Sequence, residues 1–208
     1  HSKPAPPVEA SSRFLQSYLD SIIAVKVSSP ADQRKGKAST TQERRDRQPA
    51  VVQPPKWKPP APGWLKLNTD GSFGSDGSAG AGMILRDGNG AIIFSACRQL
   101  FSCRDALEAE LCGCMEGLSM SIQRSEAPII IEMDSSTAVA MIQNEEMHRS
   151  VYSSLVKEIK FLKGLRETCV THVCRSQNKA SDNLATFARL ERRTMTWLAS
   201  SPPETLDF

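Results

Sequence analysis

Apolar and polar residues alternate regularly just after residue 63, and the alternation predicts the first strand of a folded domain. Two sets of side chains fall on opposite faces there, Leu65, Leu67 and Thr69 against Lys66, Asn68 and Asp70. A Gly-rich loop over residues 71–80 follows, and two further strands are predicted over 81–86 and 91–100. Asp87-Gly88-Asn89-Gly90 joins them as a hairpin turn, because Gly and Asn tolerate positive φ. The first three strands are therefore predicted to be antiparallel neighbours.

The remaining pattern alternates between helices and strands. Residues 105–123 have the length and composition of a helix, and the apolar run from Ile129 to Asp134 suits a central strand covered on both faces. A short helix over about 136–144, a helix over 151–165, a strand over 170–174 and a final helix from about residue 178 complete the order. The pattern predicts an α/β fold, a five-stranded mixed sheet with helices on both faces.

Composition separates residues 1–62 from the domain predicted over 63–208. Ten of the 13 Pro lie in 1–62, with 11 Lys/Arg and five Asp/Glu, a formal charge of +6, whereas the domain carries 15 and 18, or −3. Such a segment buries too little apolar area to offset its ordering entropy, so we expect a largely disordered tail or linker with a short helix near 10–24. Its basic residues, 35–47, are interpreted either as a solvated linker or as a patch for nucleic acid or nuclear targeting.

Several classes of protein are excluded or disfavoured. No stretch approaches 18 apolar residues, so no membrane span is expected. Six Cys without a CxxC pair do not form a disulfide scaffold, and we expect all six to be buried apolar residues in a reducing, intracellular compartment, nucleus or cytoplasm. The chain begins with His, so we expect a fragment of a longer protein, which leaves a lost targeting segment open.

Four acids stand out by their places in the predicted elements. Asp70 lies at the end of the first strand and Asp134 at the end of the most apolar strand, where ligands bind in open α/β sheets. Asp182 lies in the first turn of the last helix, and Glu110 lies within the long helix. Each has an ordinary structural explanation when taken alone. We expect the four to converge at one edge of the sheet.

Helical spacing distinguishes Glu110 from the neighbouring Glu108. Small residues lie within about 60° of Glu110 around the helix axis: Ala106, Gly113, Cys114 and Gly117. Glu108 lies on nearly the opposite side. Glu110 is therefore an acid on the face that packs against the sheet, which is costly unless its charge is compensated. Clustered carboxylates repel, and hard oxygen ligands favour Mg²⁺, with Mn²⁺ as the alternative.

Motifs in a fixed order carry a resemblance to a known family: Asn68-Thr69-Asp70-Gly71-Ser72, Glu108-Ala109-Glu110-Leu111, Glu132-Met133-Asp134-Ser135 and Asn178 to Ala185. The chain resembles the type 1 ribonuclease H domain of plant non-LTR retrotransposons over about residues 62–208. The resemblance implies a ribonuclease H-like fold and identifies Asp70, Glu110, Asp134 and Asp182 as metal-binding catalytic residues. It further implies hydrolysis of the RNA strand of RNA–DNA hybrids with two metal ions, and an upstream reverse transcriptase region. We expect a monomer.

Two departures from the family keep a second interpretation open. Residues 174–178 contain no His, and residues 144–149 are short and locally acidic where bacterial members have a basic handle. The alternative function is a domesticated or decayed domain that binds nucleic acid or protein without cleavage. Candidate substrate contacts are the polar residues bordering the acids: Ser72, Ser136, Arg175 and Asn178. His172 lies within a predicted strand, so we expect it to be a packed structural residue.

Overall fold

A computed structural model describes residues 54–145 and 150–200, which belong to a unit that begins at Val51. Its strands are β1 (Leu65–Phe73), β2 (Ala79–Arg86), β3 (Ile92–Leu100), β4 (Ile129–Met133), β5 (Thr168–His172) and β6 (Met195–Leu198). Its helices are α1 (Ala106–Ile122), α2 (Ser136–Gln143), α3 (Ser153–Gly164) and α4 (Lys179–Glu191), with a 3-10 turn at Arg175–Gln177. The helix predicted near 10–24 and most of the 144–149 region lie outside the described residues.

The six strands form one mixed sheet in the order β5-β4-β1-β2-β3-β6. The first three strands pair antiparallel, whereas β4 pairs with β1 and β5 pairs with β4, both in parallel. The predicted count of five strands was wrong, because β6 adds antiparallel to β3 at the far edge. This strand has only four residues, Met195–Leu198, so its own sequence is too short to reveal a period. Pairing with a strand about 100 residues earlier in the chain creates it.

Helices cover both faces of the sheet, as the pattern predicted. Along β2, Ala81, Met83 and Leu85 join the large core that α1, α2 and α3 complete. Ile84 points the other way, into a smaller cluster with Leu184 and Ala188 of α4. Alternate residues of a strand face opposite sides of a sheet, so these clusters lie on its two faces.

Helix α4 approaches the sheet closely because β2 offers glycine at the contact. A Cβ on Gly82 would lie 2.1 Å from the Ser181 carbonyl oxygen and 2.4 Å from the Ala185 backbone nitrogen. No side chain fits in that space. The absence of a side chain at Gly82 therefore sets the position of the first turn of α4, which carries Asp182.

The sequence also led to expectations about membrane spans and about the burial of cysteines. No helix among the described residues is long and apolar enough to cross a membrane. The expectation that all six cysteines are buried was wrong for Cys169, near the start of β5, and Cys174, just after β5, which are both exposed. Cys103 and Cys112 are only half-buried. Cys97 and Cys114 are buried as expected.

Candidate active site

Three carboxylates meet just beyond the point where the pairing of β1 with β4 ends. One oxygen from each of Asp70, Glu110 and Asp134 lies within 4.8 Å of the others. Strands β1 and β4 are parallel neighbours, and Asp70 and Asp134 each lie two residues beyond the last residue pair that joins them, so both acids lie at the same end of this pairing. The prediction that the first strand ends at Asp70 was wrong, because β1 continues to Phe73 through its pairing with β2. Helix α1 brings Glu110 to this point. The sequence predicted that four acids converge, and the structure brings three of them together within this distance, without Asp182.

Glycine at position 71 allows α1 to approach β1. A Cβ on Gly71 would lie 2.2 Å from the backbone nitrogen of Glu110 and 2.3 Å from the carbonyl carbon of Ala109. Any side chain there would push the helix outward. The helix-facing glycine next to Asp70 therefore permits Glu110 and Asp70 to lie side by side.

The cluster carries more negative charge than its surroundings neutralise. Burial, together with the charges of Glu110, Asp134 and Asp182, raises the pKa of Asp70 to about 9. Burial and the charge of Asp134 raise the pKa of Glu110 to about 8, although a backbone hydrogen bond from Gly71 and the charge of Arg175 oppose the shift. Raised carboxylate pKa values are the expected result of like charges held in a partly desolvated site.

One oxygen of Glu110 supports a cation-binding role. Glu110 Oε2 is buried and has no hydrogen-bond partner among the described residues. A buried carboxylate oxygen without a partner is costly, and a bound cation would supply the missing interaction. The donor set is three carboxylates without a thiolate or imidazole, which suits Mg²⁺ or Mn²⁺.

Asp182 and Arg175 lie together at the rim of the cluster. The Asp182 side chain is 34% exposed, and its Oδ1 lies 4.0 Å from Nη2 of Arg175. Nε of the same arginine lies 3.6 Å from Oδ2 of Asp134, and the arginine side chain is 79% exposed. Asp182 thus contributes charge from the rim, and its role as a metal ligand stays a prediction.

Asn178 occupies a position that sequence reasoning did not foresee. It was predicted to contact substrate, yet it is only 1% exposed. Its amide Nδ2 donates to the Thr69 carbonyl at 2.9 Å and lies 3.5 Å from Oδ1 of both Asp70 and Asp134. A buried amide that lies between two carboxylates can hold both carboxylate side chains in a fixed orientation. The Asn-Lys-Ala-Ser-Asp motif indicated the position, but only the fold shows which way the side chain points.

The other predicted substrate contacts lie around the cluster. The hydroxyl of Ser72 accepts a hydrogen bond from Nε of Arg189 at 2.9 Å, so its oxygen already has a protein partner. Ser136 is exposed at the first residue of α2, directly after the Ser135 cap. Their contact with substrate stays a prediction.

The surroundings of Glu108 and His172 were also predicted from the sequence. Glu108 turns back to the start of α1, where its Oε2 accepts a hydrogen bond from the Arg104 backbone N–H at 2.6 Å. It therefore lies away from the cluster, as the helical spacing predicted. The expectation that His172 is packed was wrong, since its ring is exposed, and its Nε2 lies 3.2 Å from the Asp134 carbonyl oxygen.

Known proteins resemble this chain in sequence and in fold. A family profile described as reverse transcriptase-like matches residues 68–188. An Arabidopsis thaliana protein named "Putative ribonuclease H protein" is 34% identical over 143 residues, which cover 68% of this chain and 23% of that protein. The chain thus spans less than a quarter of this curated relative's length.

Solved structures share the fold at low identity. Ribonuclease H1 from the halophilic archaeon Halobacterium salinarum NRC-1 superposes with a TM-score of 0.58 and 20% identity, over 62% of this chain and 99% of that one. LC11-RNase H1 in complex with an RNA/DNA hybrid gives 0.56 and 18%, over 62% and 98%. With the profile running from β1 into α4, this chain belongs to the reverse transcriptase-like family and carries a ribonuclease H domain of its plant retrotransposon type.

Proposed function

We propose that this domain is a metal-dependent endonuclease that hydrolyses the RNA strand of RNA–DNA hybrids. The observation that carries the proposal is the cluster of Asp70, Glu110 and Asp134, whose oxygens lie within 4.8 Å of one another. The name of the Arabidopsis relative and the hybrid bound to LC11-RNase H1 support the choice of substrate.

The cluster would hold the metal. Asp70, Glu110 and Asp134 offer hard oxygen ligands, with Asp182 as a further candidate at the rim, and Mg²⁺ is the proposed ion with Mn²⁺ as a substitute. Two such ions, when bound, supply activation of water and stabilisation of the leaving oxygen. Binding of cations also favours the ionised carboxylates of Asp70 and Glu110, whose pKa values are raised to about 9 and about 8 by burial and by mutual repulsion.

The protein's own cation at the site is Arg175. Its exposed guanidinium lies between the carboxylates of Asp134 and Asp182, at 3.6 and 4.0 Å. Guanidinium binds phosphate oxygens with paired hydrogen bonds, so Arg175 would hold the backbone phosphate beside the carboxylates. A single flexible cation orients the phosphate without reading the bases, which suits recognition of a hybrid by shape and by its 2′-hydroxyls.

We also propose that a reverse transcriptase region produces the hybrid substrate. Membership of the reverse transcriptase-like family supports a reverse transcriptase region as the partner that produces RNA–DNA hybrids. The Arabidopsis relative is about four times as long as the matched stretch, so there is room for such a region in a related protein.

The test incubates the full chain with a hybrid labelled on the RNA strand, in Mg²⁺ or in EDTA. Cleavage is expected only in Mg²⁺, with a labelled DNA strand and duplex DNA left intact. Asp134→Asn is the matched control for a contaminating nuclease and should show no cleavage. Cleavage in EDTA would contradict the mechanism. Binding of the hybrid without cleavage in Mg²⁺ or Mn²⁺ would support the non-cleaving alternative.

A further inference from the structure

A short segment before the domain, residues 54–58, lies against the sheet beneath the carboxylates, and we call it the strap. The indole ring of Trp57 stacks on the guanidinium of Arg86, whose Cζ lies 3.7 Å from the ring centroid. The ammonium of Lys66 lies 5.5 Å from the same ring and donates to the Lys58 carbonyl at 2.7 Å. The strap therefore covers two cations, one on β1 and one on β2.

The strap also bonds to the 3-10 turn that precedes α4. Ser176 Oγ donates to the Pro55 carbonyl at 2.9 Å, and Gln177 Nε2 donates to the Lys56 carbonyl at 3.3 Å. This turn leads directly into Asn178, the amide that lies between the carboxylates. The strap thus contacts both the strands β1 and β2 and the turn that leads into Asn178.

A chain of hydrogen bonds connects the stacked arginine to this amide. Arg86 Nη2 donates to Asn68 Oδ1 at 2.7 Å, and Asn68 Nδ2 lies 3.2 Å from Asn178 Oδ1. Asn68 is fully buried, and Arg86 has its pKa lowered to about 10 mainly by burial. Asn178 Oδ1 accepts from Asn68 and also from the Ser181 hydroxyl at 2.8 Å, so its Nδ2 is directed to the carboxylates.

Glu132, near the end of β4, completes this network. Its Oε2 accepts from Asn68 Nδ2 at 2.9 Å, and its Oε1 lies 2.6 Å from Lys66 Nζ. Asn68 and Glu132 are paired residues of the parallel strands β1 and β4. The cations covered by the strap and the Asn178 amide that lies between the carboxylates therefore belong to one buried network.

We propose that Trp57 is a positioning residue for the carboxylate cluster, acting through Arg86, Asn68 and Asn178. The ring keeps water from the guanidinium, so the hydrogen bond from Arg86 to Asn68 acts in a low dielectric and fixes the amide orientation. Partners that orient metal ligands tune metal affinity, so loss of the ring should weaken cation binding. The inference rests on the proposed function for the role of the cluster as a metal site.

The experiment measures Mn²⁺ binding to the full chain by calorimetry, without substrate. Asn178→Ala should raise the dissociation constant by about 10–100-fold, the range for loss of a group that orients a ligand. Trp57→Ala acts one step further away and should raise it by at least about threefold. Trp57→Phe retains an aromatic face for Arg86 and should restore affinity close to that of the wild type.

Trp197→Ala is the matched control for the loss of a half-buried tryptophan. Trp197 packs against the α4 cluster from the edge strand β6, far from the strap in the sheet order. The Trp197→Ala substitution should lower the melting temperature of the chain without changing its affinity for Mn²⁺. In hybrid cleavage, Trp57→Ala should lower kcat with KM nearly unchanged, because it alters the carboxylates and not the substrate contacts.

The outcomes separate this inference from the proposed function. Wild-type Mn²⁺ affinity and kcat in a folded Trp57→Ala chain would overturn the inference even if the wild type cleaves hybrids. The expected order of Mn²⁺ affinities without hybrid cleavage would support the inference and contradict the proposed function. No Mn²⁺ binding by the wild-type chain would overturn both.

Discussion

The two faces of β1 are both buried but are held in place by different interactions. On one face, Leu67 packs into the large core beneath α1, an environment that accepts apolar side chains of suitable size. On the other, Lys66, Asn68 and Asp70 are 7%, 0% and 2% exposed and need polar partners. Apolar packing on the first face of β1 sets where helix α1 lies. Polar contacts on the second face set which way the functional side chains point.

The largest expected effect separates two acids on α1. Glu110→Gln should reduce hybrid cleavage to at most about a hundredth of wild type, since single electrostatic groups at active sites contribute on the order of 10²-fold or more. Glu108→Gln should leave most activity, because Glu108 bonds at the start of the helix. The measurement is the single-turnover rate in Mg²⁺. Equal losses would show that the assignment of the two helix faces is wrong.

A second prediction concerns the packed face of β1. Gly71→Ala places a methyl group 2.2 Å from the α1 backbone, so the helix must shift. We expect a loss of about 1–3 kcal/mol in the free energy of unfolding, as for overpacked cores, together with lower cleavage activity. Urea denaturation measures the first quantity.

Gly164→Ala is the control for this substitution, since a Cβ at the end of α3 meets no atom within 4 Å. It should change stability by less than about 1 kcal/mol, in the stabilising direction expected for Ala in a helix. A similar loss in both variants would show that contact with α1 is not the cause.

A third prediction concerns the polar face in the absence of metal. The pKa of Asp70 is raised from 3.8 to about 9, so folding favours the protonated form. Its contribution to stability is full below pH 4 and is lost as the pH rises towards 9. Asp70→Asn should therefore melt at a higher temperature than the wild type in EDTA at pH 8, by about 2–4 °C for each 1 kcal/mol relieved.

The pH series provides the check on this sign. The difference in melting temperature should shrink as the pH falls to 4, where the wild-type carboxyl is protonated. Mg²⁺ should stabilise the wild type more than Asp70→Asn, because a ligand stabilises only the folded state that binds it. A variant that melts below the wild type at pH 8 in EDTA would contradict the proposed cost of burying the Asp70 charge beside other acids.

The smallest expected effect concerns the basic N-terminal residues. If their cations meet phosphates, deletion of residues 1–53 should flatten the salt dependence of hybrid affinity by roughly 0.7–0.9 log units per log salt for each phosphate that these residues neutralise. KM should rise while kcat stays nearly unchanged. Identical salt slopes with and without these residues would favour a simple linker. The deletion must stop before Pro54, since the strap bonds to the domain.

The boundary between the N-terminal tail and the domain is one place where the sequence prediction and the structure differ. The tail was predicted to extend to residue 62 and to pack against nothing, on the basis of its Pro and Lys content. In the structure, Trp57 stacks on Arg86 and the Lys58 carbonyl accepts from Lys66. A lone aromatic residue among prolines gives no period, and its partner is 29 residues away on another element. Local composition therefore could not reveal the contact.

The candidate site divides in a similar way. The predicted strand ends and the face of α1 brought Asp70, Glu110 and Asp134 together, and the structure confirms their convergence, although β1 continues past Asp70 to Phe73. Asp182 was expected to join them, but it lies at the rim beside Arg175. A first-turn residue of a helix has several directions open to it. The packing of α4 on Gly82, which no pattern specifies, decides which one it takes.

By itself, the sequence determined the elements with a clear period, the order of helices and strands along the chain, the acid that follows β4 and the acid on the packed helix face. These features depend on neighbours within a few residues, so alternation and helical spacing are sufficient to predict them. Only the tertiary structure decided the sixth strand, the direction of the Asn178 amide and the contact of the strap. Each depends on one hydrogen bond, stack or strand pairing between distant residues, and such pairings leave no local period in the sequence.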